Sequence, residues 1–197
     1  MSAKFKRNLT AMSVAAIIAA YAPNRAGAEI IDHDLFHRKT YASGGGLSEM
    51  VFFTESEGNQ GVTAQDTNMQ ENGKMEAGKH FLIEGLEVIP IARAAAEADR
   101  VLDLNELLDT GIVQIMYGND VVYHGRTLRT YVARTALIGV DANVGDQEPD
   151  YFMLANPIAI ESGKNFKVRV KWPDGSPALT ANVELEFVLL GQQLSGN

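Results

Sequence analysis

Residues 166–172 and 183–189 carry the pattern that most restricts the fold. Phe166, Val168, Val170 and Trp172 alternate with Lys167, Arg169 and Lys171. Val183, Leu185, Phe187 and Leu189 alternate with Glu184, Glu186 and Val188. A period of two places one set on a buried face and the other towards water, which is the requirement of a half-buried antiparallel strand. Pro173-Asp174-Gly175 supplies a turn after the first segment. If the two strands are neighbours in one sheet, Lys167, Arg169 and Lys171 face Glu184 and Glu186 across it. Exposed pairs of that kind contribute a few tenths of a kcal/mol and set register more than stability. Trp172 falls on the apolar parity and is assigned to the core.

The same reading extends upstream. Met50–Thr54 is a compact apolar run, and residues 68–78 are polar with turn signals at Asn72-Gly73, Glu76 and Gly78. His80–Ile91 is a long strand with apolar residues on both parities. That requires burial on both faces, or a bulge at Gly85 that exchanges them. Residues 92–109 read as the one helix of the body, with Val101, Leu104, Leu107 and Leu108 at helical spacing and Gly111 beyond the end. Ile112–Tyr117 and Val121–Arg126 form a hairpin about Gly118-Asn119-Asp120. Residues 127–137 fit helix or strand equally, and 141–150 form an acidic loop. The expected fold class is all-β: a jelly-roll β-sandwich with one inserted helix and an N-terminal helical or irregular arm.

The N-terminus admits two readings. Lys4, Lys6 and Arg7 precede an almost uncharged run from Leu9 to Ala22, in which Val14, Ile17 and Ile18 stand among small residues. Ala26-Gly27-Ala28 has the small-x-small form of a signal-peptidase site. Retained, the segment is a basic, apolar arm, with a short helix over 10–22 capped by Thr10 and stopped by Pro23. Residues 24–47 read as irregular, with Gly44-Gly45-Gly46 as a hinge. The organisation expected is therefore an arm over 1–47 and a sandwich over 48–197. The net charge of −8 is uneven: residues 1–28 hold four basic residues and no acid, which leaves −12 on the rest. An acidic body is a poor nucleic-acid ligand, so only the arm could meet phosphates.

The 197 residues contain no cysteine, which excludes disulfides, thiolate catalysis and zinc–thiolate sites. No run is long enough to span a bilayer. His33 and His37 stand four apart, the spacing that puts two imidazoles on one helix face for a metal, with Asp32 and Asp34 as extra oxygen donors; the bland alternative is a charged linker. Residues 141–146 begin like a calcium loop, but Gly145 and Asp146 break the pattern and Phe152 stands where a bidentate Glu belongs. His80 and His124 lie in strand-like sequence without a nucleophile motif. Glu84 and Glu87 have opposite strand parity and make a carboxylate pair only if a bulge at Gly85 intervenes. No enzyme, cofactor or metal site is expected.

Three stretches carry a resemblance: Thr67-Asn68-Met69 leading through Gly73 and Ala77-Gly78 into Phe81-Leu82-Ile83; Pro157-Ile158 followed by Ser162-Gly163-Lys164-Asn165-Phe166; and Val183–Leu190 ending at Gly191. In layout, residues 67–191 resemble the single jelly-roll capsid proteins of tailless bacteriophages, especially those with an internal membrane. The resemblance implies an eight-stranded jelly roll that self-assembles into an icosahedral virion shell. Its partners would be copies of itself, in trimers or in hexameric and pentameric capsomers, together with other virion proteins. The arm residues Lys4, Lys6, Arg7, Val14, Ile17 and Ile18 would contact neighbours, membrane lipid or the genome. The competing expectation is a periplasmic or secreted β-sandwich binding module that begins at Glu29 after cleavage.

Overall fold

The structure is a computed structural model that describes residues 29–59, 61–132 and 151–195. Two four-stranded antiparallel sheets pack face to face, so the all-β sandwich expected from the alternating segments is what forms. The strands are β1 (Glu29–Tyr41), β2 (Glu49–Phe52), β3 (Lys79–Ala92), β4 (Ile112–Tyr117), β5 (Asp120–Thr127), β6 (Phe152–Ile160), β7 (Phe166–Lys171) and β8 (Val183–Ser195). One helix, α1 (Glu97–Thr110), joins β3 to β4, and a 3-10 turn (Leu128–Tyr131) follows β5. One sheet has the order β1-β8-β3-β6 and the other β2-β7-β4-β5. Pairing is therefore nested: first strand with last, second with seventh, third with sixth, fourth with fifth.

Alternation fixes the inner faces. Phe166, Val168 and Val170 on β7, and Val183, Leu185, Phe187 and Leu189 on β8, are all buried. Trp172 is also buried, beside Tyr41 with ring centroids 5.6 Å apart. Phe52 stacks on Phe187 at 4.5 Å, joining the two sheets across the core. On β3 the core set is Phe81 and Ile83, then Leu86 and Val88, because the register shifts between Ile83 and Gly85. The bulge at Gly85 thus explains the apolar residues on both parities.

Four expectations need correction. β7 and β8 are not neighbours: they lie in opposite sheets, so Lys167, Arg169 and Lys171 do not meet Glu184 and Glu186. Alternation says which face of a strand is buried but not which strand lies beside it. Glu186 instead pairs with Arg38 (2.8 Å), Glu184 with Arg93 (2.8 Å), and Arg169 with Gln114 (2.6 Å) and Glu49 (3.3 Å).

The second concerns residues 24–47. Of these, 29–41 form β1, which pairs along its whole length with β8, so a large part of the expected arm belongs to the sandwich. Charges on the outward positions hide the inward set Leu35, His37 and Tyr41. The third is the glycine hinge. Gly45 and Gly46 have φ of +64° and +77° and form a turn fixed by the bond from the Gly46 N–H to the Ser176 carbonyl (3.2 Å). A Cβ on Gly45 would lie 2.7 Å from the Pro177 oxygen, so the turn sits tightly against the 176–178 loop. Finally, α1 starts at Glu97, later than expected, and Val101 faces solvent while Leu107 and Leu108 are buried.

Candidate functional site

The strands give the sandwich two ends of different character. At one end Glu29, Ser195 and Lys79 lie side by side in register; at the other Tyr41, Val183 and Ala92 do. Thirteen residues of β1 separate them, a distance of about 40 Å at 3.3 Å per residue.

At the first end His33 and Leu35 on β1, Gln193 on β8, and Asn68, Met69 and Lys74 from the 68–78 loop surround a pocket of about 410 Å³. Its lysines are internally balanced: Lys74 Nζ lies 2.9 Å from Glu71 and Lys79 Nζ 2.8 Å from Glu76. Ile30 and Ile31 stand exposed beside it, where the chain enters β1.

At the second end α1 is held from three sides. Leu107 and Leu108 are fully buried in the core. The buried Asp103 carboxylate accepts bonds from the Thr180 N–H (2.8 Å), the Thr180 hydroxyl (2.7 Å) and the Ala181 N–H (3.2 Å). Arg129 bridges to Asn105 at 2.7 Å and to Asp109, whose carboxyl its guanidinium holds below the usual carboxylate range. Nearer the start of the same helix Val101 and Leu102 are each 51% exposed, with Glu97 one turn before Val101 and Glu106 one turn after Leu102. Sequence reasoning placed Val101 inside, and spacing alone could not have done otherwise, because Val101 stands two turns before the buried Leu108 on the same side of the helix.

Between the ends, the outer face of the first sheet gathers carboxylates. Burial raises Glu87, with Asp34 and Glu186 adding like charge, and burial likewise raises Asp34. The acids that act on Glu87 are Asp34 from β1 and Glu186 from β8. On the inner side of β1, His37 is buried between the rings of Phe52 and Phe53, at 6.1 and 5.8 Å. Its Nδ1 accepts the Phe53 N–H at 2.6 Å, where the backbone has φ +63°, and its Nε2 lies 3.6 Å from Glu55. Burial first, and the Lys39 charge second, push this imidazole down to about 4.

The metal reading of His33 and His37 does not survive the fold. In a strand their Cα atoms are about 13 Å apart, too far to share one ion, and one imidazole is spent on Phe53. No group of three His, Asp or Glu able to hold a metal occurs among the described residues. His80 accepts the Ser162 N–H (3.3 Å), and His124 lies 3.2 Å from the Gln114 amide. The arm residues Lys4, Lys6, Arg7, Val14, Ile17 and Ile18, and the calcium-like stretch 141–146, lie outside the described residues. No helix among the described residues is long and apolar enough to cross a membrane. No protein family, curated protein or solved structure matches this chain.

Proposed function

We propose that this protein is a structural subunit: a jelly roll that self-assembles into an icosahedral virion shell, with residues 1–28 retained as a contact arm. The observation that carries the reading is the nested pairing β1–β8, β2–β7, β3–β6 and β4–β5 in two sheets. A long hairpin rolled into two Greek keys generates that order, and viral capsid domains are among its main users. The chemistry of the surface agrees. His37, Lys74, Lys79, Asp103, Asp109, Arg129, Glu184 and Glu186 are engaged in ion pairs, hydrogen bonds or packing, and the two ends differ in charge and apolar character. The partners proposed are copies of this chain, other virion proteins, and lipid or genome reached by the arm.

Negative-stain microscopy of the purified full-length protein, with salt and divalent ions varied, tests this reading. Closed shells or regular capsomers are expected, forming more readily as salt screens the mutual repulsion of acidic bodies. A monodisperse monomer at high concentration under all these conditions would overturn it.

One observation favours a second reading. Lectins and cupins use the same architecture, and the 410 Å³ pocket at the β1 entrance has the size of a small-ligand site. On that reading residues 1–28 are removed and a periplasmic or secreted binding module begins at Glu29. Intact-mass measurement on protein from its natural source separates the two: loss of residues 1–28 supports the module, and their retention supports the arm.

A further inference from the structure

We propose that two copies of this chain pair edge to edge through the start of β1, antiparallel about a two-fold axis at Ile31, so that their first sheets run on as one. The pairing goes beyond the shell reading and does not rest on it, because such a pair can stand alone or inside an assembly.

β1 is an edge strand, with β8 on one side and no strand on the other. Its even-numbered residues turn their backbone N–H and C=O groups away from β8, and from Asp34 to Arg38 the 66–68 loop takes them up. The Phe36 N–H donates to Asn68 Oδ1 (2.9 Å) and the Asn68 amide donates to the Asp34 carbonyl (2.6 Å). The Thr67 hydroxyl donates to the Phe36 carbonyl (2.9 Å), and the Arg38 N–H to the Asp66 carbonyl (2.6 Å). The period of two puts the same groups of Ile30 and Asp32 on the open side, where no described residue bonds them. Glu29, Ile30, Ile31 and Asp32 are all exposed, the isoleucines at 46% and 42%. Natural sheets normally block an open edge that carries β-branched residues. Here the blocking stops at Asp34.

The sequence of the opening is complementary to itself. With Ile31 of one copy facing Ile31 of the second, Glu29 of each lies opposite His33 of the other, and Ile30 lies opposite Asp32. Ile30 and Asp32 then exchange both ladder bonds, on each side of the axis. The Ile31 pair is of the closer, non-hydrogen-bonded kind and brings two β-branched side chains together. A carboxylate meets an imidazole at either end. Shifting the register to set Asp32 against Asp32 opposes two carboxylates and asks for the Asp34 carbonyl, which Asn68 already holds. The opposite shift leaves His33 without a partner among residues 29–33. Contact between identical surfaces is isologous and closes at two copies. A stretch as short as 29–33 buries less than a permanent dimer needs, so the pair forms reversibly and grows with concentration.

The absence of native cysteine makes the test direct. Full-length Ile31→Cys and Ile30→Cys proteins are oxidised gently at low salt and equal concentration, and the disulfide-linked dimer of each is quantified. In the proposed register the Cα atoms of residue 31 lie about 4.5 Å apart, within disulfide range, and those of residue 30 about 8 Å apart, outside it. Ile31→Cys should therefore give about ten-fold more dimer than Ile30→Cys, although the two positions are comparably exposed. Adding Asp32→Pro to Ile31→Cys removes an N–H that only the second copy uses, and should bring the yield down to that of Ile30→Cys. Equal yields from the two cysteines would overturn the proposal, and so would a disulfide indifferent to the proline. Amide hydrogen exchange on the unsubstituted protein guards against a proline variant that fails to fold. Exchange at Ile30 and Asp32 should slow as the concentration rises, while exchange at Val122 on the β5 edge should not. Exchange at Ile30 and Asp32 that ignores concentration overturns the pairing whether or not shells form. Concentration-dependent protection without shells supports the pairing and counts only against the shell.

Discussion

Asp103 of α1 holds Thr180 by both its backbone N–H and its hydroxyl, at 2.8 and 2.7 Å, in a site only 2% exposed at the aspartate. One carboxylate therefore fixes the helix to the loop that leads into β8. Asp103→Ala leaves the Thr180 and Ala181 N–H groups without their acceptor and should cost about 2–4 kcal/mol. Urea unfolding of the two proteins measures this. Asp103→Asn keeps one acceptor oxygen and should fall between them; a loss under about 0.5 kcal/mol for the alanine variant contradicts the anchoring role.

His37 predicts an acid-sensitive core. Its imidazole is held down to about 4 in the fold, against an ordinary value near 6.5. Between those two values the unfolded chain binds the proton and the folded one does not, so stability falls as the pH drops from 6.5 towards 4. The stabilisation is complete above 6.5, and its full loss amounts to about 3 kcal/mol. His37→Asn keeps an acceptor for the Phe53 N–H without a titrating group. Thermal unfolding from pH 7 to 4 should show a steeper fall for the parent than for this variant, and parallel curves would rule the histidine out.

Two glycines should respond differently to alanine. A Cβ on Gly191 would lie 1.9 Å from the Leu82 carbonyl oxygen, within the β3–β8 pairing. Gly175 has φ +86° but open space around it. Gly175→Ala should cost about 1 kcal/mol from backbone strain alone, while Gly191→Ala forces strands apart and should cost at least about 3 kcal/mol. Chemical denaturation of both variants ranks them; the reverse order would contradict the register of β8.

Charge pairs report the sheet assignment. Arg38 and Glu186 lie across adjacent strands, whereas Arg169 and Glu186 belong to opposite sheets. A double-mutant cycle on Arg38 and Glu186 should return a coupling of about 0.5–1 kcal/mol that salt diminishes. The cycle on Arg169 and Glu186 should return none, and a measurable coupling there would place β7 and β8 side by side after all.

What was legible in the chain is what local periodicity encodes. The inner faces of β7 and β8, the β4–β5 hairpin and the bulge at Gly85 follow from residues a few positions apart. Partner choice does not, because β7 and β8 are consecutive yet line opposite walls of the core through Phe166 and Phe187. β1 was obscured by its own composition: His37 and Lys39 on the inward parity and Arg38 and Asp34 on the outward one imitate a linker until Leu35 and Tyr41 are seen against the core. The start of α1 was hidden in a different way: Val101 reads as a core residue from its spacing to Leu104 and Leu108, yet it is 51% exposed.

The nested pairing also sets an order in time. β8 lies between β1 and β3, and Tyr41 waits for Val183 before it has a neighbour. At ordinary ribosomal speeds that wait is roughly ten to thirty seconds. For that interval the long first strand is made without its β8 partner, and the third strand has at most β6 beside it. The longest strands of the sandwich are thus the ones most open to pairing with the wrong molecule, and conditions that slow translation or crowd the nascent chains should reduce soluble yield before they affect the finished fold.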